Sequence, residues 1–212
     1  MWVVHLGTIV LMMNHDTHFL SPVACKEKKA DVMFLVDSSG SIGAENFEKM
    51  QKFMKEVVNQ SDIGLDRVHV GIVQFSSTQK EEFQLNNYST RSDIIAAIGR
   101  MSALNQSTLT GEALQFVANY FTPAKGARPS VNKILILITD GEAQDEVKTP
   151  AKALREKGII IYSVGVFNAN KTQLEEISEK PENVFYVENF DILNQIEDKI
   201  IFGICTPYKP DG

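Results

Sequence analysis

The sequence lacks the features that mark nucleic-acid-binding and membrane-spanning proteins. Its longest basic stretch is the short segment 26–29, and 21 Lys and Arg against 27 Asp and Glu give a formal net charge of −6. A phosphate-binding face is therefore unsupported, and no nucleic-acid partner is expected. No stretch of the chain body approaches the roughly 20 consecutive apolar residues of a transmembrane helix, so no membrane span is predicted.

Cysteine is scarce, and its two positions are informative. Cys25 and Cys205 enclose nearly everything that reads as globular, which indicates one domain over residues 25–205 closed by a disulfide. In the chain-entropy model such a long loop stabilises the fold by about 4–5 kcal/mol. Two unrelated free thiols are the alternative. A chain of 212 residues, 43% of them hydrophobic, is long enough for one sizeable core and short for two.

The two ends of the chain lie outside this predicted domain. Residues 1–24 open with an apolar stretch that is similar to a signal peptide, although no Lys or Arg precedes it and Pro22 disfavours cleavage after Ala24. An unstructured N-terminal segment is the alternative. Residues 206–212, with two prolines, are predicted to be a linker or tail.

Four Asn-x-Ser/Thr sequons are candidate glycosylation sites. They are relevant only if the chain is secreted, and they would then mark surface positions. The four asparagines are Asn59, Asn87, Asn105 and Asn170.

Apolar runs of strand length alternate with segments of helical periodicity from Asp31 onward, which predicts an α/β fold. The runs typical of buried parallel strands cover residues 31–36, 68–75, 134–138 and 159–167. Segment 81–85 has the charged alternation of an antiparallel edge strand, and a last strand is predicted at 183–187. The helical segments lie at 44–59, 90–101, 110–121, 150–157, around 174–177 and from 190 to about 200.

The sequence thus predicts a doubly wound, mostly parallel six-stranded sheet of Rossmann-like type. One edge strand is antiparallel, and helices cover both faces. Thr90 and Thr110 are predicted to be the N-caps of the second and third helices.

Oxygen-bearing side chains follow two of the buried strands. Asp37, Ser39 and Ser41 form an Asp-x-Ser-x-Ser segment after the first strand, and Asp140 ends the strand at 134–138. In an open parallel sheet, ligands bind beyond the carboxyl ends of the strands where the strand order reverses. Oxygen donors on a tight loop suit a hard cation such as Mg²⁺, and no histidine or cysteine lies nearby. Read alone, the segment is more typical of an N-cap at Asp37 for the following helix and of ordinary turn residues at Ser39 and Ser41.

The residue patterns of known enzymes are missing. The segment around Ser41 lacks the first glycine of a nucleophile elbow, and no histidine is placed to act as its base. There is no Gly-x-Gly-x-x-Gly and no Gly-Lys-Ser/Thr phosphate loop. An aspartate-based phosphotransferase would need an acidic residue where Ser39 stands. The chain is therefore predicted not to be an enzyme.

The candidate residues together resemble a known site. Asp37-x-Ser39-x-Ser41, Thr108-x-Thr110-Gly111 before a helix, and Thr139-Asp140-Gly141 after a strand are similar to the metal-ion-dependent adhesion site of von Willebrand factor type A domains. The likeness spans residues 29 to about 205. Within that superfamily the chain is most similar to the A domains of type VI collagen alpha chains and matrilins.

The resemblance implies a metal site and a location. Ser39, Ser41 and Thr108 would be direct ligands, with Asp37 and Asp140 acting directly or through water. The implied ion is Mg²⁺, with Mn²⁺ or Ca²⁺ as alternatives. It also implies a secreted, extracellular matrix protein whose metal engages a carboxylate of a partner, such as collagen or another A domain. A structural assembly domain without metal-dependent binding is the alternative.

One departure from the family pattern concerns the threonine loop. Many relatives have Gly-Gly before it, where this chain has the segment 103–106 with Asn105. This replacement predicts a stiffer loop. A glycan on Asn105, three residues from Thr108, would crowd the adhesion face.

Overall fold

The computed structural model describes residues 28–205. The predicted signal peptide, Cys25 and the predicted tail at 206–212 lie outside the described residues. Within 28–205 no helix is both long and apolar enough to cross a bilayer.

In residues 28–205, six strands and six α-helices follow one another in the predicted order. The strands are β1 (Ala30–Asp37), β2 (Val68–Phe75), β3 (Gln79–Phe83), β4 (Asn132–Thr139), β5 (Ile159–Val166) and β6 (Val184–Val187). The helices are α1 (Gly43–Gln60), α2 (Arg91–Gly99), α3 (Thr110–Val117), α4 (Lys148–Glu156), α5 (Lys171–Ser178) and α6 (Glu197–Cys205). A 3-10 segment, Phe190–Ile196, leads into α6.

The strands form one sheet in the order β3-β2-β1-β4-β5-β6. All neighbours are parallel except β2 and β3, so the predicted doubly wound sheet with one antiparallel edge is confirmed. The edge strand lies two residues earlier than the predicted 81–85. Strand β1 pairs with β2 on one side and β4 on the other, which makes the gap between β1 and β4 the point where the strand order reverses.

Alternate side chains of β1 pack into two separate cores, because successive side chains of a strand point to opposite faces of the sheet. Val32, Phe34 and Val36 face a core closed by α1, α2 and α6. Met33 and Leu35 face a second core closed by α3, α4 and α5. Every residue of β1 is buried, because helices cover both faces of the sheet. The central strands are therefore rigidly held, and so are the loops that leave their carboxyl ends.

One of the two predicted caps is correct. Thr90 caps α2 by accepting a hydrogen bond from the backbone N–H of Asp93. Thr110 is instead the first residue of α3, whose N-cap position is Leu109 and makes no side-chain cap. The predicted helix 110–121 also stops at Val117 and continues only as a short 3-10 turn, Ala118–Tyr120.

Candidate metal centre

Two aspartates meet where β1 and β4 end. The parallel register pairs Val36 with Ile138, and one and two residues further along lie Asp37 and Asp140. Asp37 is fully buried and Asp140 nearly so. Both predicted carboxylates therefore lie at the strand-order reversal.

The Asp37 carboxylate holds its own loop together. One oxygen accepts the backbone N–H of Ser39 at 2.8 Å, and the other accepts the hydroxyl of Thr139 at 2.7 Å. Burial raises the pKa of Asp37 despite these hydrogen bonds, and the nearby charge of Asp140 adds to the effect. Burial thus disfavours the charged form of Asp37, and a neighbouring cation would offset that cost.

A chain of oxygens links the first loop to Asp140. The Ser39 and Ser41 hydroxyl oxygens are 3.0 Å apart, and Ser41 donates to Asp140 Oδ1 at 2.8 Å. Burial raises the pKa of Asp140, and the hydrogen bond from Ser41 partly opposes that rise. Residues 99 positions apart in the chain therefore share one polar cluster.

Thr108 approaches this cluster from a third loop. Its carbonyl accepts the N–H of Gln144 at 3.1 Å, which ties the loop to the segment that follows Asp140. Its hydroxyl oxygen is the nearest heavy atom to the place where a Cβ on Gly141 would stand, 3.9 Å away. Thr108 itself is 7% exposed. The hydroxyl therefore faces the turn that carries Asp140.

Loop 102–109 is fastened to the first loop by its backbone. Asn105 donates its N–H to Ser38 O at 2.8 Å, and Gly40 donates to Gln106 O at 2.9 Å. Asn105 has a φ of +58°, a left-handed conformation that asparagine tolerates better than most residues. The segment 103–106, which stands where many relatives have Gly-Gly, is thus held in place and forms one wall of the site.

Gln106 adds a side-chain clamp that sequence reasoning missed. Its amide oxygen accepts hydrogen bonds from the hydroxyls of Ser76, Ser77 and Thr78 at 3.1, 2.6 and 3.2 Å. These three residues follow β2, so the clamp joins a third strand end to the threonine loop. The run of hydroxyl residues after β2 was the only signal in the sequence.

Asp145 caps α3 from across the site, a second residue whose role the sequence did not reveal. Its two carboxylate oxygens accept the N–H groups of Gly111 and Glu112 at 2.9 and 2.8 Å. These are among the donors that a helix N-terminus leaves unpaired. The cap explains why Thr110 need not provide one, and it fixes the start of α3 just after Thr108.

Replacing Asp145 by alanine should lower the free energy of unfolding by about 1–2 kcal/mol, because two helix N–H groups lose their acceptor. Chemical denaturation followed by circular dichroism measures this. Glu142→Ala is the matched control, since it removes an exposed carboxylate from the same loop. Equal stabilities of the two variants would show that the cap contributes nothing.

The gathered oxygens fit a small hard cation. Octahedral Mg²⁺ has ligand oxygens at about 2.1 Å, so adjacent ligands lie about 2.9 Å apart. The distances of 3.0 Å from Ser39 to Ser41 and 2.8 Å from Ser41 to Asp140 match that edge length. Within residues 28–205 no cluster of three or more His, Cys, Asp or Glu is suited to a metal. A metal here would depend on hydroxyls as much as on carboxylates.

The remaining predicted sites are placed as follows. Asn59, Asn87 and Asn105 are exposed, whereas Asn170 is half-buried and caps α5 by accepting the N–H of Gln173. Cys205 is buried at the end of α6. Because Cys25 lies outside the described residues, the disulfide stays a prediction, as does glycosylation.

Comparison with known proteins identifies the family of the domain. The family model described as von Willebrand factor type A domain matches residues 31–199. The human collagen alpha-6(VI) chain is 67% identical over 184 residues, which are 87% of this chain and 8% of that protein. The mouse collagen alpha-5(VI) chain is 60% identical, over 88% of this chain and 7% of that protein. Human matrilin-1 is 39% identical, over 85% of this chain and 37% of that protein.

A solved structure shows the same fold. Proximal thread matrix protein 1 from the mussel byssus, described with a zinc-occupied MIDAS motif, is 31% identical with a TM-score of 0.79. The alignment covers 84% of this chain and 48% of that one. The chain thus spans less than a tenth of the collagen VI chains that it matches and about a third of matrilin-1. With this fold, these motifs and these identities, the chain belongs to the von Willebrand factor type A domain family.

Proposed function

We propose that this domain is a secreted module of the extracellular matrix that binds a protein partner through a metal-ion-dependent adhesion site. The observation that carries the proposal is the oxygen cluster at the β1–β4 reversal. Asp37, Ser39, Ser41 and Asp140 are linked there by hydrogen bonds, and Thr108 faces them.

The low negative charge of the cluster would let a bound divalent ion accept a carboxylate from a partner. Only two of the five groups, Asp37 and Asp140, carry a negative charge, which at most neutralises a divalent ion. A divalent cation bound there supplies an electrophilic coordination position for an Asp or Glu of the partner. The three hydroxyls bring oxygen without adding repulsion, whereas a cage of four carboxylates would repel that ligand.

Mg²⁺ is the metal that the donor set favours. All five groups bind through oxygen, the ligand that hard cations prefer. The zinc named for the mussel protein is a borderline ion that also accepts oxygen ligands. Mn²⁺ and Ca²⁺ are the other ions that such a site accepts.

The relatives support a matrix partner. Collagen VI chains and matrilin-1 favour a collagen or another A domain as the ligand. The exposed Asn105 sequon on the wall of the site favours a second candidate function. A glycan there would crowd the face and leave a structural domain that takes part in assembly without metal-dependent binding.

Thr108→Ala separates the two candidate functions. The variant should lower Mg²⁺ affinity at least about tenfold, because it removes one ligand without adding charge. Calorimetric titration of Mg²⁺ measures this. Capture of collagen VI and matrilin from matrix extract should be lost on chelation and should be reduced in the variant.

Thr122→Ala is the control, because its hydroxyl donates to Asn119 O after α3, away from the site. It should bind Mg²⁺ and capture partners as the wild type does. If capture by the wild type survives both chelator and Thr108→Ala, the adhesion proposal is wrong and the assembly function stands.

A further inference from the structure

Phe167 exposes an aromatic ring at the edge of the sheet that carries the metal centre. It directly follows β5 and is 59% exposed. The register of β4 and β5 pairs Thr139 with Gly165, so Phe167 lies two residues beyond that pair, beside the Asp140 turn. Neighbouring strands are about 4.8 Å apart. Phe167 therefore lies at the carboxyl end of the sheet, as the oxygen cluster does.

The backbone of Phe167 is held in a conformation that its side chain disfavours. Its φ is +56°, in the left-handed region where a bulky residue is a genuine outlier. Two hydrogen bonds fix it there: its N–H donates to Val187 O at 3.0 Å, and the Tyr186 hydroxyl donates to its carbonyl. A glycine would adopt this φ without steric cost. The fold therefore does not require a ring at this position.

The ring also contributes little to the core. Phe167 belongs to neither of the two clusters of buried side chains. Strained residues held by their surroundings tend to occur at functional sites. Exposed aromatic residues are enriched among the residues that dominate protein–protein binding. These two tendencies meet at a residue that follows β5, the strand next to the one that ends at the metal centre.

We infer that Phe167 is an apolar contact for the protein partner, and that the segment giving its carboxylate to the metal centre places an apolar side chain on this ring. The inference rests on the proposed function and names a further requirement of the same partner. A protein segment fits better than a nucleic acid or an anionic membrane, because the chain has a net charge of −6. The ring thus selects among carboxylate-bearing segments.

A peptide array tests this with the full chain. Every peptide is made in two forms, with Glu or with Gln at its centre, all residues are varied at the flanking positions, and binding is measured with Mg²⁺ and with chelator. The wild type should bind only with Mg²⁺ and should favour apolar residues at one or two flanking positions. Phe167→Gly should keep the Mg²⁺ and Glu requirements and lose the apolar preference. Phe167→Tyr, which keeps the ring, should retain it.

Two controls distinguish specific recognition by Phe167 from loss of folding and from nonspecific apolar binding. Phe167→Gly should melt at or above the wild-type temperature, because glycine relieves the left-handed strain. Leu65→Ala removes another exposed apolar side chain, 80% exposed before β2 at the opposite end of the sheet, and should leave the array pattern unchanged.

The outcomes distinguish the inference from the proposed function. Mg²⁺- and Glu-dependent binding without an apolar preference, or with one that Phe167→Gly leaves intact, overturns the inference and leaves the proposed function standing. Binding that ignores Mg²⁺ and Glu, or no binding by the wild type, overturns both.

Discussion

Replacing Asp37 by alanine should abolish metal binding, with Mg²⁺ affinity lowered at least about 100-fold. The carboxylate supplies half of the negative charge of the cluster and organises the loop that carries Ser39 and Ser41. Its loss also leaves the Ser39 N–H without its buried acceptor and removes the closer of the two acceptors of the Thr139 hydroxyl. We therefore expect the metal-free protein to lose about 2 kcal/mol of unfolding free energy.

Asp37→Asn separates the two effects. Its amide oxygen can still accept the Ser39 N–H, and its NH₂ can donate to Thr139. The Thr139 hydroxyl already has a second acceptor, Gly141 O at 3.4 Å. This variant should keep near wild-type stability in denaturant and still lose Mg²⁺ binding by calorimetry. If Asp37→Asn binds Mg²⁺ as tightly as the wild type, the carboxylate has no part in the metal site.

Gly111→Ala should destabilise the fold by about 3 kcal/mol. A Cβ at this position would lie 2.0 Å from Glu146 O and 2.9 Å from a carboxylate oxygen of Asp145. The first of these is a backbone atom, so either α3 or the loop after β4 must move. The movement would also disturb the Asp145 cap and Thr108, and Mg²⁺ affinity should fall with stability.

Gly141→Ala is the matched control for unfolding, measured in the same denaturant titration. The nearest atom to its added Cβ is the Thr108 hydroxyl oxygen at 3.9 Å, an ordinary contact, so its stability should stay close to wild type. Equal stabilities of Gly111→Ala and Gly141→Ala would mean that α3 does not pack against Glu146 as described.

The fold could be predicted from sequence because the apolar runs and the helical periodicity both indicate the same α/β fold. Residues 134–138 form a continuous apolar run, and they lie in the centre of β4 with helices on both faces. The periodicity of α1 is equally clear, and its apolar side chains are buried. Element ends were less accurate, because the 3-10 turns after Val117 and before Glu197 have the same spacing of apolar residues as an α-helix.

The candidate site was predictable only in its principal residues. Asp37 and Asp140 could be found because parallel strands bring their carboxyl ends to one edge of a sheet. The supporting contacts could not, since they join positions far apart in the chain. Asp145 caps a helix that starts 35 residues earlier in the sequence, and Gln106 holds three hydroxyls about 30 residues away. Pairings of this kind depend on how loops fold over the sheet edge.

A buried ion pair at the amino end of β1 was likewise not predictable from the sequence. Asp31 is fully buried, and Arg128 contacts it through its backbone N–H at 2.6 Å and its guanidinium at 2.8 Å. In the sequence Asp31 looked only like the start of a strand. Its partner is 97 residues away, in a loop whose pattern carries no signal of pairing.

We propose that one divalent cation binds the oxygens of Ser39, Ser41, Thr108, Asp37 and Asp140. Electron paramagnetic resonance of Mn²⁺ added to the purified full chain, with Mg²⁺ as competitor, tests it most directly. We predict one saturable site per chain, bound through oxygen alone, displaced by Mg²⁺, and lost in Asp37→Asn and weakened in Thr108→Ala. No saturable binding at millimolar Mn²⁺, or binding that both variants leave unchanged, would contradict the claim.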